Sequence, residues 1–172
     1  MSTGSPAGGF RRVTLADPLV EPLLRELTHE YVSRYGPGAH QEMARYPAEA
    51  FAEPHGVLLL LLEDGEPVAG GAYMRHDAHT AEVKRMWTHS AHRRRGLARR
   101  VLAELERTAA AAGYHRIFLT TGPRQPEAKG LYLSAGYPPL FDVTADPLTI
   151  GPLPFEKPLP ALVPLHRPVP LH

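Results

Sequence analysis

Apolar positions recur along this chain with two periods, one strand-like and one helical. Phe10 to Ala16 alternates and predicts a short first strand. Leu19, Leu23, Leu24, Leu27 and Tyr31 recur at helical spacing behind Asp17-Pro18, an N-cap followed by a first-turn proline. They predict a helix to about Tyr35, stopped by Gly36-Pro37-Gly38; a loop and a short helix near Pro47 to Phe51 follow. The run from Val57 to Glu63 reads as a buried strand and Asp64-Gly65 as a hairpin turn. Pro67 to Arg75 and Thr80 to Thr88 read as two more strands. From Gly96 to Ala112, Leu97, Val101, Leu102, Leu105, Ala109 and Ala112 mark an amphipathic helix closed by Gly113. Ile117 to Thr121 predicts a strand and Pro126 to Ala135 a helix, with weaker strands at Phe141 to Thr144 and Leu153 to Lys157. The order β α α β β β α β α β β describes a mixed α/β domain.

Proline placement sharpens this picture. Residues 68–122 contain none, while seven of the nineteen prolines lie after residue 150. Uninterrupted secondary structure is therefore expected in the central block. We expect a flexible leader over residues 1–9, a domain over 10–158 and an extended proline-rich tail over 159–172. A chain of 172 residues suits one domain with a large core. Nineteen basic against eighteen acidic residues give a net charge of +1, which argues against a nucleic-acid binder. The absence of cysteine excludes disulfides, thiolate metal sites and a cysteine nucleophile. No apolar run approaches the ~20 residues of a membrane span, and no signal-peptide pattern is visible, so a cytoplasmic protein is expected.

Candidate chemistry concentrates in Val83 to Leu102, VKRMWTHSAHRRRGLARRVL. A strand, a short polar loop and the sequence RRRGLA lead into the long helix. A helix opening presents free amide donors and the positive end of the dipole. Gly96 allows close backbone approach, Ala98 keeps the first turn small, and Arg93, Arg94 and Arg95 add charged donors. These features describe a cradle for a diphosphate; the plainer reading is a solvated basic loop.

The context of that segment decides between the two. Arg93-x-x-Gly96-x-Ala98, between a strand and a helix, resembles the signature of the GNAT superfamily of acyl-CoA N-acyltransferases. Gln125-x-x-Ala128-x-x-Leu131-Tyr132-x-x-x-Gly136-Tyr137 resembles a second family segment, with Gln125 in place of the usual Asn. The resemblance covers residues 10 to 158. It implies a mixed, mostly antiparallel sheet with splayed central strands flanked by helices. It also implies transfer of an acetyl group from acetyl-CoA to a primary amine of a small molecule or peptide.

By the same resemblance, strand residues Met86, Trp87 and Thr88 line the pantetheine arm, and Arg93, Arg94, Arg95, Gly96, Leu97 and Ala98 hold the pyrophosphate. Gln125, Ala128 and Tyr132 face the carrier from the next helix. An alkylammonium near pKa ~10.4 must lose a proton before it attacks the thioester. The resemblance makes Glu82, four residues before Met86, the candidate base and Tyr132 the candidate general acid, and the Met86 amide is the natural oxyanion donor. Alternation would put Glu82, Lys84, Met86 and Thr88 on one strand face, opposite Val83, Arg85 and Trp87. The plainer readings, Glu82 as a strand carboxylate paired with Lys84 and Tyr132 as a helix residue packed on the sheet, stay open.

Specificity is expected from Tyr31, Tyr35, the loop between residues 38 and 53, Tyr73 and Arg75. Neither His76-x-x-His79 nor His89-x-x-His92 falls on a helix or completes a four-ligand set, so no metal is expected. The partners expected are acetyl-CoA and an amine acceptor, without nucleic acid or membrane; a homodimer is left open. A non-catalytic acyl-CoA-binding module of the same fold is the alternative function.

Overall fold

The computed structural model describes residues 9–160. The leader and tail expected from the sequence lie almost wholly outside that range. A six-stranded sheet runs in the order β1 (Phe10–Arg12), β2 (Val57–Glu63), β3 (Glu66–Asp77), β4 (Thr80–Thr88), β5 (Arg116–Thr121) and β6 (Leu153–Pro158). Every neighbouring pair is antiparallel except β4 and β5. That parallel pair needs a crossover, supplied by α3 (Leu97–Ala111).

The uninterrupted leucines of β2 are explained by burial on both faces. Leu58 and Leu60 pack with Leu23, Leu27 and Trp87 under α1 (Glu21–Tyr35). Val57, Leu59 and Leu61 pack with Val101, Leu102 and Leu105 of α3 on the opposite side. At the β2–β3 turn Asp64 and Gly65 both take positive φ, 51° and 78°, the two-residue geometry that matches strand twist. A short α2 (Ala39–Met43) forms within the segment expected to be a loop. The short helix expected near Pro47 to Phe51 is a single 3-10 turn, Ala48–Phe51. Among the described residues no helix is long and apolar enough to cross a membrane.

Two elements depart from the sequence reading. The first strand stops at Arg12, where the chain turns toward the Asp17 cap, whose side chain accepts from the Leu19 amide. The strand expected at Phe141 to Thr144 does not form. Asp142 accepts hydrogen bonds from both the Thr144 amide (2.9 Å) and hydroxyl (2.7 Å), curling the chain locally. An isolated bridge, Pro139 to Phe155, and the edge-to-face packing of Phe141 on Phe155 connect this loop to β6.

Candidate active site

The parallel pairing of β4 with β5 covers only Thr80–Glu82 against Arg116–Phe118. Beyond it the two strands part, and among the described residues the edge of β4 from Val83 to Thr88 has no strand partner on that side. A cleft of about 1170 Å³ opens there. Val83 to Thr88 form one wall, Thr120 to Pro123 another, and the start of α3 lies at one end.

Within β4 the register against β3 slips. Lys84 faces Ala72 and Trp87 faces Gly70, so two residues, Arg85 and Met86, stand opposite Gly71 alone. This is a β-bulge, centred on Arg85 at φ +62°. The bulge breaks the alternation expected along the strand. Met86 turns to the α3 side, where a side chain on Gly71 would meet its sulfur at 2.6 Å. Glu82 and Lys84 stay on the opposite face, beside Met74 and Ala72. Glu82, Lys84, Met86 and Thr88 therefore do not share one face, because the extra residue shifts the pleat by one.

Arg93, Arg94, Gly96, Leu97, Ala98 and Arg99 line the end of the cleft at the start of α3. Gly96 caps the helix in the left-handed region at φ +72°, and a Cβ there would meet no protein atom within 4 Å. Space beside the backbone is thus reserved from the protein's own side chains. The first intrahelical bond is donated by Arg100 to Gly96, so the amides of residues 97–99 are free of helical partners. Of the three consecutive arginines, Arg95 turns away: it pairs with Glu63 at 2.6 and 3.0 Å. Arg99 lines the cleft while bonding Ser134 at the end of α4 (Pro126–Ser134).

Glu26 of α1 fixes the approach to this loop. It accepts hydrogen bonds from the Trp87 indole (3.0 Å), the Ser90 amide (2.9 Å) and the Ser90 hydroxyl (2.6 Å). Burial by itself would raise its carboxyl, but these bonds outweigh it and hold the group below its ordinary value.

Farther along, Tyr132 and Ala128 of α4 line the cleft. Tyr132 packs against Tyr137 and Phe155, and burial pushes its phenol well above the ordinary value. Tyr31 lines the same cleft, and burial raises it too, against an opposing pull from Arg85. Tyr35 and Gln125 are cleft residues occupied with the fold. The Gln125 side chain accepts from Gly122 (2.9 Å) and from the Tyr35 hydroxyl (3.3 Å) and donates to Glu30 (3.2 Å).

Other sequence candidates lie elsewhere. Glu82 is buried outside the cleft lining, between Lys84 Nζ (3.2 Å) and His76 Nδ1 (3.3 Å); Lys84 itself reaches the cleft. Tyr73 is a core residue, edge-to-face with Tyr114, and burial pushes its phenol up to about 12. Arg75 is exposed, with His55 at 3.5 Å, and does not line the cleft. His79 stacks on His115 and His76 on Phe118. Among the described residues no three potential metal ligands converge.

The model of the acetyltransferase (GNAT) family matches residues 21–137, more than half of the chain. The chain belongs to the GNAT acetyltransferase family. It is similar to the uncharacterized N-acetyltransferase YsnE of Bacillus subtilis strain 168, 34% identical over 93 residues. That match takes in 51% of this chain and 62% of the relative. Solved structures share the fold. An acetyltransferase from Streptococcus agalactiae 2603 superposes with a TM-score of 0.66 at 18% identity, covering 88% of this chain and 99% of that one. An aminoglycoside 6'-N-acetyltransferase complexed with coenzyme A gives 0.65 at 14% identity, covering 90% and 98%.

Within this GNAT chain, sequence reasoning missed Arg85 and Glu26 as cleft residues, while Glu42 lies in the 38–53 segment expected to set specificity. Arg85 was hidden because a bulge leaves no mark in apolar alternation. Glu26 belongs to α1, whose packing against β4 is tertiary.

Proposed function

We propose that this protein transfers an acetyl group from acetyl-CoA to a primary amine by direct attack within a ternary complex. One observation carries the reading. The unpaired edge of β4 runs toward a helix start whose free amides, Gly96 gap and Arg93, Arg94 and Arg99 face one cleft. An extended amide-bearing arm suits the strand edge, and a diphosphate suits the helix start. The residues present therefore fit acetyl-CoA. The Arg95 side chain, held by Glu63, contributes charge near the loop and no direct contact in this arrangement.

In the reaction the amine nitrogen attacks the thioester carbonyl, the C–S bond breaks, and the coenzyme leaves as a thiolate that takes up the proton the nitrogen sheds as the amide forms. Tyr132 serves the departing sulfur. Its raised phenol stays protonated through the working range and donates a hydrogen bond; outright transfer to a thiolate near pKa ~8.5 runs uphill. The Met86 amide, on the bulged wall, is the oxyanion donor in this reading. Glu82 takes the ammonium proton at one remove, through a water, because it does not itself line the cleft and its neighbour Lys84, a paired ammonium, has no lone pair to relay a proton. Glu42 does line it and is the second candidate for the base. We place the protein in the cytoplasm, where acetyl-CoA is available to it.

The test is thiol release from acetyl-CoA against amino acids, polyamines, aminoglycosides and peptides, together with coenzyme A thermal shift. Ligand at 100 times its Kd should stabilise the fold by about 2.7 kcal/mol. No shift at millimolar coenzyme A would overturn the proposal. A shift without turnover on any amine would instead favour the non-catalytic acyl-CoA-binding module.

A further inference from the structure

Arg85 is a buried cation without a buried counter-ion. The residue is only 6% exposed, yet it lines the cleft. Its Nη2 donates to the backbone carbonyls of Glu42 (3.0 Å) and Met43 (3.4 Å), and its guanidinium lies 5.8 Å from the Phe51 ring centre. Its Nε and Nη1 find no hydrogen-bond acceptor among the described residues, the bonds it makes both coming from Nη2. Among the described residues no fully buried side-chain nitrogen lacks a partner, so these donors reach the open volume.

The neighbouring cations are neutralised differently. Lys84 pairs with Glu82 (3.2 Å), Arg45 with Glu42 (3.5 Å) and Arg34 with Glu127 (2.9 Å). Among the described residues Arg85 has no carboxylate at ion-pair distance, its partners being the carbonyls of Glu42 and Met43. Its backbone conformation, unusual for a residue with a side chain, costs about 1 kcal/mol. The fold thus holds the guanidinium at the cleft wall against both strain and desolvation. The position also separates it from the diphosphate end. Arg85 packs on α2 across the sheet from α3, whose start carries the phosphate donors.

We infer that the acceptor amine bears a carboxylate, and that Arg85 receives it on the α2 side of the cleft. Glu42 and Glu30, which line the same region, then face the ammonium end of the molecule. A zwitterionic acceptor satisfies both signs of charge at once, whereas a polycation leaves Arg85 uncompensated and repelled. The carboxylate can belong to a free amino acid or to the C-terminus of a short peptide. This inference rests on the acetyl-transfer reading of the cleft.

The experiment compares matched acceptors with the full chain and acetyl-CoA: lysine, lysinamide and cadaverine; phenylalanine, phenylalaninamide and phenethylamine; and dipeptides with free or amidated C-termini. The acid forms should win in kcat/KM by about 10- to 100-fold, the worth of hydrogen bonds to a charged group. In Arg85→Gln the acid-to-amide ratio should fall to about one, and Arg85→Lys should keep part of it. A dipeptide preferred over its parent amino acids would identify the peptide source; the reverse would identify the free acid. Equal use of acid and amide by the native chain, or a ratio unchanged in Arg85→Gln, overturns the inference and leaves acetyl transfer standing. Should the Gln variant fail to show a coenzyme A thermal shift, the native ratio and the Lys variant decide. Failure of the native chain to bind coenzyme A or acetylate any acceptor overturns both readings together.

Discussion

Replacing Glu26 by Ala removes one carboxylate that anchors three donors at the entrance of the loop leading into α3. The Trp87 indole is buried in the core under α1, so its N–H would be left without a partner, at a cost of about 1–3 kcal/mol. The two Ser90 donors are exposed and can turn to water, adding a few tenths each. The expected loss is about 2–3 kcal/mol, which for a domain of this size lowers Tm by about 5–10 °C. Urea unfolding with Trp87 fluorescence is the direct assay. Glu26→Gln keeps one acceptor oxygen and should lose less than half as much. The acid limb supplies a second signature. Because the folded carboxyl is held below 4.5, its stabilisation is fully present above the ordinary carboxylate range. It is lost as pH falls through the lowered folded value, so Glu26→Ala should show a flatter acid limb than the native chain. A loss under about 0.5 kcal/mol, the scatter of ordinary surface changes, would refute the argument.

Three further outcomes are expected. Gly96→Ala should cost about 1 kcal/mol of stability from its left-handed backbone, and Gly96→Glu should in addition weaken coenzyme A about 100-fold or more by charge conflict. Calorimetric titration giving native affinity for the Glu variant would disprove the cradle. Tyr132→Phe should lower kcat with little change in coenzyme A affinity, and equal turnover would remove its role at the sulfur. Gly71→Ala forces a methyl against Met86, Leu105 and Val101 at 2.6–3.1 Å and should cost about 1–3 kcal/mol while displacing Met86 from the cleft wall. Unchanged stability and unchanged acetyl-CoA KM would show that the strand and α3 have slack there.

Residues close together in the sequence carried the reading furthest where one element supplies the whole function. Arg93, Gly96 and Ala98 sit on one strand–loop–helix unit, so their joint placement at a helix start follows from local spacing. The same holds for Ala128 and Tyr132, one helical turn apart on α4. Spacing could not show that Arg95 would be drawn off by Glu63, thirty-two positions away. Nor could it show that Tyr73 and Arg75, on β3, would lie away from the cleft that opens beyond β4.

The sequence by itself determined most of the elements, the burial of β2 and the helix start at Gly96 that we propose holds a diphosphate, because periodicity and capping are local properties. Tertiary structure decided the cleft. Its opening comes from the parting of β4 and β5 after three paired residues, and its lining from a bulge at Arg85 that reverses the strand's facing. Both depend on how strands from distant parts of the chain pair, and apolar alternation within one strand cannot record a change of register against its neighbour.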